Sequence, residues 1–220
     1  MNQTLQSLLE QHFKGLVLAP PLFYSWKNSI RFEISDPEIG FNRPDFMVQT
    51  FHRATTLFKE VFAEMDEILL VTDVLTKSDN TFLQHKPLNV YQKYIKRKEV
   101  LYQLQLQTFI SEEDSNDLYE MVIHRFSLHC KKSDIRYVQL IQAICHADMG
   151  HSSTIMKSNP ESGYFIYFIN LTKKIIYYLY DDRGCDVLAA DPESIRFLYD
   201  QYNEWILDYD RKEIDAVFSK

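Results

Sequence analysis

Three of the four aspartates in the stretch YYLYDDRGCDVLAAD, namely Asp181, Asp182 and Asp186, crowd together, with Arg183 and Gly184 between them. Carboxylates at this density could chelate a hard divalent cation, which takes several oxygen ligands. They could equally present charge to a partner. Two features favour a structural turn without metal. Aspartate side chains bond their own backbone in turns, and Arg183 can neutralise a neighbour. Asp182-Arg183-Gly184 suits a three-residue hairpin loop whose glycine takes the left-handed conformation. The expectation is an exposed hairpin tip that serves, if anything, a protein partner.

A second set of residues could do chemistry. His124, His129, Cys130, Cys145, His146 and His151 fall within 28 residues. Zinc takes such ligands in tetrahedral sets. The spacing follows neither CxxC nor HxxxH. His124 and Cys130 share one face of an alternating strand, and His129 faces the other way. Cys145 lies on an apolar helix face, as a core residue does. Without a glycine-rich oxyanion loop beside either cysteine, a Cys–His nucleophile is not expected. No phosphate loop, GxSxG or HExxH is present, so the reading contains no catalytic residue, no metal and no cofactor. NVYQKYIKRKEV interleaves Tyr91 and Tyr94 with cations, a pattern that can bind nucleic acid. On a chain of net charge −7 that patch is weak, and the tyrosines fit helix packing, so no nucleic-acid partner is expected.

These residues must be positioned by regular elements, and the periodicities give most of them. Leu5, Leu8, Leu9 and Phe13 have helical spacing before Gly15. SIRFEIS alternates as a half-buried strand, antiparallel or at a sheet edge. Pro44 opens a long helix to about residue 64, with Phe46, Phe51, Ala54, Leu57, Phe58, Val61 and Phe62 on its broad face. EILLVTDV, 67–74, reads as a buried strand, 76–87 as a long surface loop, and 88–98 as a short basic helix. YQLQLQT alternates with Tyr102, Leu104 and Leu106 on one side, and EMVIHRFSLH is its natural antiparallel neighbour. Ser133 or Asp134 can cap a helix carrying Ile135, Val138, Ile141, Ile144 and Cys145, and 148–163 is a loop. YFIYFI, central because apolar on both faces, KIIYYLY and CDVLA then form a three-stranded meander. Asp191-Pro192-Glu193 is a strong start signal for a last long helix whose inner face carries Ile195, Leu198, Tyr202, Trp205, Ile206 and Tyr209. Asp210 and Glu213 resemble a capping box for a final helix at 211–218. The fold class is α+β, with a mainly antiparallel sheet, the C-terminal meander, and helices packed on its faces. Residues 1–220 read as one domain, and a sub-division, if any, would fall near 76–87.

Composition agrees. A chain of 220 residues with 45% hydrophobic residues and 14% aromatics can bury a core without staples. Three cysteines at wide spacings suggest no disulfide framework. The first residues lack the charge and apolar run of a signal peptide, and no apolar run approaches a membrane span, so a cytoplasmic protein is expected. Charge is uneven. Residues 181–220 hold eleven acids against five bases, while 86–99 carries +4. Such asymmetry bears on partners and association rate.

IYFINLTKKIIYYLYDDRGCDVLA, followed by YNEWILDYDRKEID, resembles the bacterial, Bacillus-type family known as domain of unknown function 3885. LFYSWKNSIRFEISDP and LHCKKSDIRYVQLIQAIC extend the resemblance over nearly the whole chain. It implies a cytoplasmic bacterial protein and implies no activity, cofactor or site residue. The charge pattern carries the functional expectation instead. It is a non-enzymatic protein-binding module whose acidic C-terminal face, through Asp181, Asp182, Arg183, Asp186, Glu204, Asp208 and Asp210, docks a basic protein. The concrete form is an immunity-type protein that neutralises a basic toxin or nuclease, with charge complementarity speeding capture. The alternative is a small-ligand sensor or an enzyme with a pocket that the sequence does not locate. Oligomeric state is left open.

Overall fold

The computed structural model describes residues 4–36, 38–39, 43–111, 120–147 and 162–219. Among them are seven strands: β1 (Ser29–Glu33), β2 (Glu67–Lys77), β3 (Gln105–Ile110), β4 (Met121–Lys131), β5 (Gly163–Asn170), β6 (Ile175–Leu179) and β7 (Gly184–Ala189). They form one sheet in the order β1-β7-β6-β5-β2-β4-β3. Every neighbouring pair is antiparallel. The meander β5-β6-β7, the β3–β4 pairing and the central place of β5 follow the patterns read from the sequence, and β1, expected to be antiparallel or at an edge, is both.

Among the described residues, seven α-helices accompany the strands: α1 (Leu5–His12), α2 (Leu22–Ser25), α3 (Pro44–Val61), α4 (Asn89–Tyr94), α5 (Tyr137–Cys145), α6 (Arg196–Gln201) and α7 (Arg211–Phe218). Side chains alternate across a strand, so β2, β5, β6 and β7 each serve two cores. The larger core joins α3, α4 and α5 to Ile68, Leu70, Phe126, Leu128, Phe168, Tyr177 and Val187. Phe58 sits at its centre, 4.5 Å from the Phe62 ring and 4.9 Å from Tyr137, with Phe168 edge-on at 5.0 Å. The second core lies on the opposite face. There Leu8, Phe13, Leu16, Leu18 and Leu22 cover Leu69, Val71, Tyr167, Ile169, Tyr178 and Leu188. The N-terminal segment therefore lies over one face of the sheet, and the longer helices pack on the other.

Several expectations are corrected. The last long helix is broken. After α6 come short 3-10 turns at Asn203–Trp205 and Asp208–Asp210, and Tyr209 points outward. The cause is the sheet edge. Ile206 bridges Phe32, and the Leu207 N–H bonds the Arg31 carbonyl at 3.0 Å, which requires extended chain where the apolar period alone implies helix. Arg211 donates to the carbonyls of Asn203 and Ile206 and secures the break. Asp210 makes no side-chain cap on α7, because its carboxylate is engaged elsewhere. Residues 98–103 form a 3-10 helix rather than the start of β3, leaving Tyr102 94% exposed. The 76–87 segment is anchored by Phe82, which is buried against His124 and Phe126. Gly184 has no positive φ. What it needs is room, since a Cβ there would stand 2.7 Å from the Phe32 carbonyl oxygen of β1.

Candidate functional site

The predicted site residues do not form one exposed face. Asp181, Asp182, Asp186 and Asp210 are all buried. Asp186 and Asp210 meet at Arg31 of β1. Arg31 Nε donates to Asp186 Oδ1 at 2.8 Å, Nη2 to Asp186 Oδ2 at 3.2 Å, and Nη1 to Asp210 Oδ2 at 3.3 Å. Asp186 Oδ2 also accepts the Phe23 N–H at 3.1 Å, and Asp210 Oδ1 the Tyr24 hydroxyl at 2.9 Å. The Tyr24 phenol is raised, first by that bond and then by burial. The Arg31 guanidinium lies 4.9 Å from the Phe23 ring centre and 4.8 Å from that of Tyr24, within cation–π range. Bidentate geometry with saturated partners is what a buried pair needs to offset desolvation. This constellation ties α2 and the C-terminal turns to the sheet.

The hairpin tip is equally committed. Asp181 Oδ1 accepts the Arg183 N–H at 2.8 Å, and Oδ2 accepts Arg183 Nε at 2.7 Å. Asp182 is only 5% exposed, which corrects the expectation of an exposed turn, whereas the Arg183 side chain is 72% exposed. Both carboxylates stand near Cys145, whose thiol is pushed up by burial and then by them. Glu204 and Asp208 are the nominated acids that do face solvent, and Asp208 pairs with Arg211 at 2.9 Å. The histidines and cysteines are also dispersed. Cys130 and Cys145 are core residues, His124 Nδ1 lies 3.0 Å from Thr108 Oγ1, and His151 falls outside the described residues.

A cavity of about 430 Å³ opens on the second face of the sheet. Residues 17–20 wall one side. Leu75, Phe109, Ile110, Ile123 and Phe165 supply most of its apolar lining, and Asp73, Ser111, Arg125 and Tyr167 its polar side chains. Its volume falls within the roughly 300–1,000 Å³ of small-molecule sites. The antiparallel register of β2 and β4 places Asp73 opposite Arg125. Arg125 Nε donates to Asp73 Oδ1 at 2.7 Å, and Nη2 to Oδ2 at 2.6 Å. Nη2 also reaches the Leu18 carbonyl at 3.0 Å, fixing the cavity wall to its floor. Burial pulls the Arg125 pKa down, but the bonds to Asp73 outweigh it, so the guanidinium stays charged. Its Cζ stands 5.0 Å from the Phe109 ring centre. An apolar cavity with one oriented charge pair can hold and orient an amphipathic small molecule.

A family model described as domain of unknown function (DUF3885) matches residues 5–210. The chain belongs to this family. An uncharacterized protein, YnaE, from Bacillus subtilis strain 168 is 30% identical over 213 residues, covering 91% of this chain and 96% of that protein. No solved structure gives a significant match.

Asp73 and Arg125 carry the strongest local electrostatics of the cavity, and neither was singled out from the sequence of this DUF3885 member. A signal existed. Asp73 interrupts EILLVTDV and Arg125 interrupts VIHRFSLH, and a charge inside a buried strand is more informative than an exposed apolar residue. What the sequence lacks is the register that pairs them and the fold-back of residues 17–20. Among the described residues no helix is long and apolar enough to cross a membrane.

Proposed function

We propose that the chain is a non-enzymatic, cytoplasmic binding protein that holds a small, largely apolar molecule in the cavity between residues 17–20 and the β5-β2-β4-β3 part of the sheet. The observation that carries this reading is the apolar cavity with the Asp73–Arg125 pair on its floor. Such a combination is the usual form of a ligand pocket: apolar walls for affinity and a few fixed polar groups for orientation. Saturating uptake of the neutral dye Nile red by the folded protein, at one dye per chain, tests it. Ile123→Trp, which narrows the cavity, should weaken uptake. Absence of uptake by the unsubstituted protein would end this reading.

A second reading keeps the acidic docking surface but moves it. Asp200, Glu204, Asp208 and Glu213 are exposed on and between α6 and α7, with Lys212 as the exposed base nearby. A basic protein, of the kind an immunity-type protein would neutralise, fits this surface by charge. Capture from a native bacterial lysate at low salt tests it. The partner should elute as salt rises, and charge reversal at Glu204 and Asp208 should prevent capture.

A further inference from the structure

Two arginine–aspartate pairs stand on the same face of the sheet, one near each end. Arg31 and Asp186 bridge β1 and β7, and Arg125 and Asp73 bridge β4 and β2. Each pair also touches the N-terminal segment, Asp186 through the Phe23 N–H and Arg125 through the Leu18 carbonyl. In each, Nε and Nη2 grip one carboxylate in a fork. The two differ at Nη1. Arg31 Nη1 binds a second carboxylate, that of Asp210. Arg125 Nη1 makes no hydrogen bond with any described residue. The side chains are similarly enclosed, 15% exposed for Arg125 and 11% for Arg31.

We propose that the cavity binds a small apolar carboxylate whose head group takes the Nη1 edge of Arg125, as Asp210 takes that edge of Arg31. This inference rests on the binding role argued above and names the ligand class. Three further points support it. A guanidinium has five N–H donors, and the fork to Asp73 with the Leu18 bond leaves the Nη1 pair unused. Asp73 already offsets the arginine charge, so the site suits a monoanion better than a dianionic phosphate, and Arg31 between Asp186 and Asp210 demonstrates the same two-to-one stoichiometry. Arg125 also borders a more polar cleft of about 360 Å³. Glu10 lines that cleft and opposes an anion there, while the apolar cavity has no acid other than Asp73 among its lining residues.

Octanoate and octanol, equal in chain length and different in head group, separate the two levels of the argument. Competition against Nile red, with calorimetry as a second readout, should show octanoate binding at least about tenfold more tightly, the worth of one charge-assisted hydrogen bond. Ile123→Trp, which narrows the cavity, should weaken binding of both. A paired Asp73→Asn and Arg125→Gln variant, verified as folded by circular dichroism, should lose the octanoate preference and keep octanol binding. Equal binding of the two by the unsubstituted protein would overturn the carboxylate assignment and leave the cavity as a neutral-ligand site. Octanoate preference surviving in the paired variant would overturn the assignment to Arg125, and unchanged binding of both ligands by Ile123→Trp would overturn the assignment to this cavity. Failure of dye and both ligands to bind would overturn the binding role itself. Where the paired variant does not fold, the octanoate–octanol comparison and Ile123→Trp decide.

Discussion

The aspartates that look most like a site are used to hold the chain together. Replacing Arg31 by Met leaves two buried carboxylates, Asp186 and Asp210, without their shared cation. Breaking a buried pair from one side costs about 3–5 kcal/mol. Arg183→Ala removes a largely exposed cation from one buried carboxylate, Asp181, which keeps its bond from the backbone N–H of position 183, so it should cost less than the Arg31 change. Urea denaturation of the two variants measures this. Equal midpoints would mean that the Arg31 constellation is not structural. Gly184→Ala is the sharper test of the hairpin. The added Cβ would meet the backbone oxygen of Phe32 at 2.7 Å, and a strand pair cannot move aside as a flexible side chain can. The expected cost is about 1–3 kcal/mol, as for other overpacked sites. A melting curve identical to that of the unsubstituted protein would show that the β1–β7 pairing relaxes freely.

At the scale of elements, period and composition made the three-stranded meander, the β3–β4 hairpin and α3 legible, because each is decided by which face meets the core. The broken C-terminal helix was not legible. Tyr202, Trp205 and Ile206 keep a helical apolar spacing, but Ile206 and Leu207 are recruited by the edge of β1, a tertiary demand that outweighs local propensity. The cavity was illegible for a related reason: residues 17–20 and β2–β4–β3 are distant in sequence. Trp205 accordingly belongs to a turn and is half-buried, 4.7 Å from the Tyr202 ring and 5.4 Å from the Arg53 guanidinium. Trp205→Ala should cost less than Phe58→Ala, for which the fully buried value of about 3–5 kcal/mol applies. Thermal melts rank the two, and the reverse order would restore Trp205 to the core. His124 links the 82–84 turn to the sheet, 5.6 Å from the Phe82 ring, and burial holds its pKa below the ordinary histidine value. The unfolded chain therefore takes up this proton first. Stability from His124 is complete above about pH 6.5, the ordinary histidine value, and falls as pH drops from there to the depressed folded value. The slope in that window is at most about 1.4 kcal/mol per pH unit. His124→Gln should flatten the fall in urea midpoint between about pH 7 and pH 5, relative to the unsubstituted chain. Parallel curves would contradict the assignment.

For the whole molecule, the two ends of the sheet are treated differently. The β1 edge is closed by Ile206 and Leu207, which bond to its backbone. The β3 edge has no strand neighbour among the described residues other than β4. Its sequence, QLQTFI, carries no charge and no proline, and each of its six residues is exposed. Unpaired strand edges template pairing with other chains unless a charge, a proline or a bulge prevents it. Net charge of −7 supplies general repulsion at low salt, but that repulsion is screened within about 8–10 Å at physiological ionic strength. Self-association should therefore rise with salt and proceed through β3. Leu106 is the place to intervene. It is 47% exposed and lies outside the lining of the cavity. Leu106→Lys should leave the urea midpoint within about 0.5 kcal/mol, as surface changes usually do. It should also suppress the salt-dependent growth in scattering or sedimentation mass. Unchanged association in that variant would place the sticky surface elsewhere on the molecule, and the β3 edge would then be protected by means other than its own side chains.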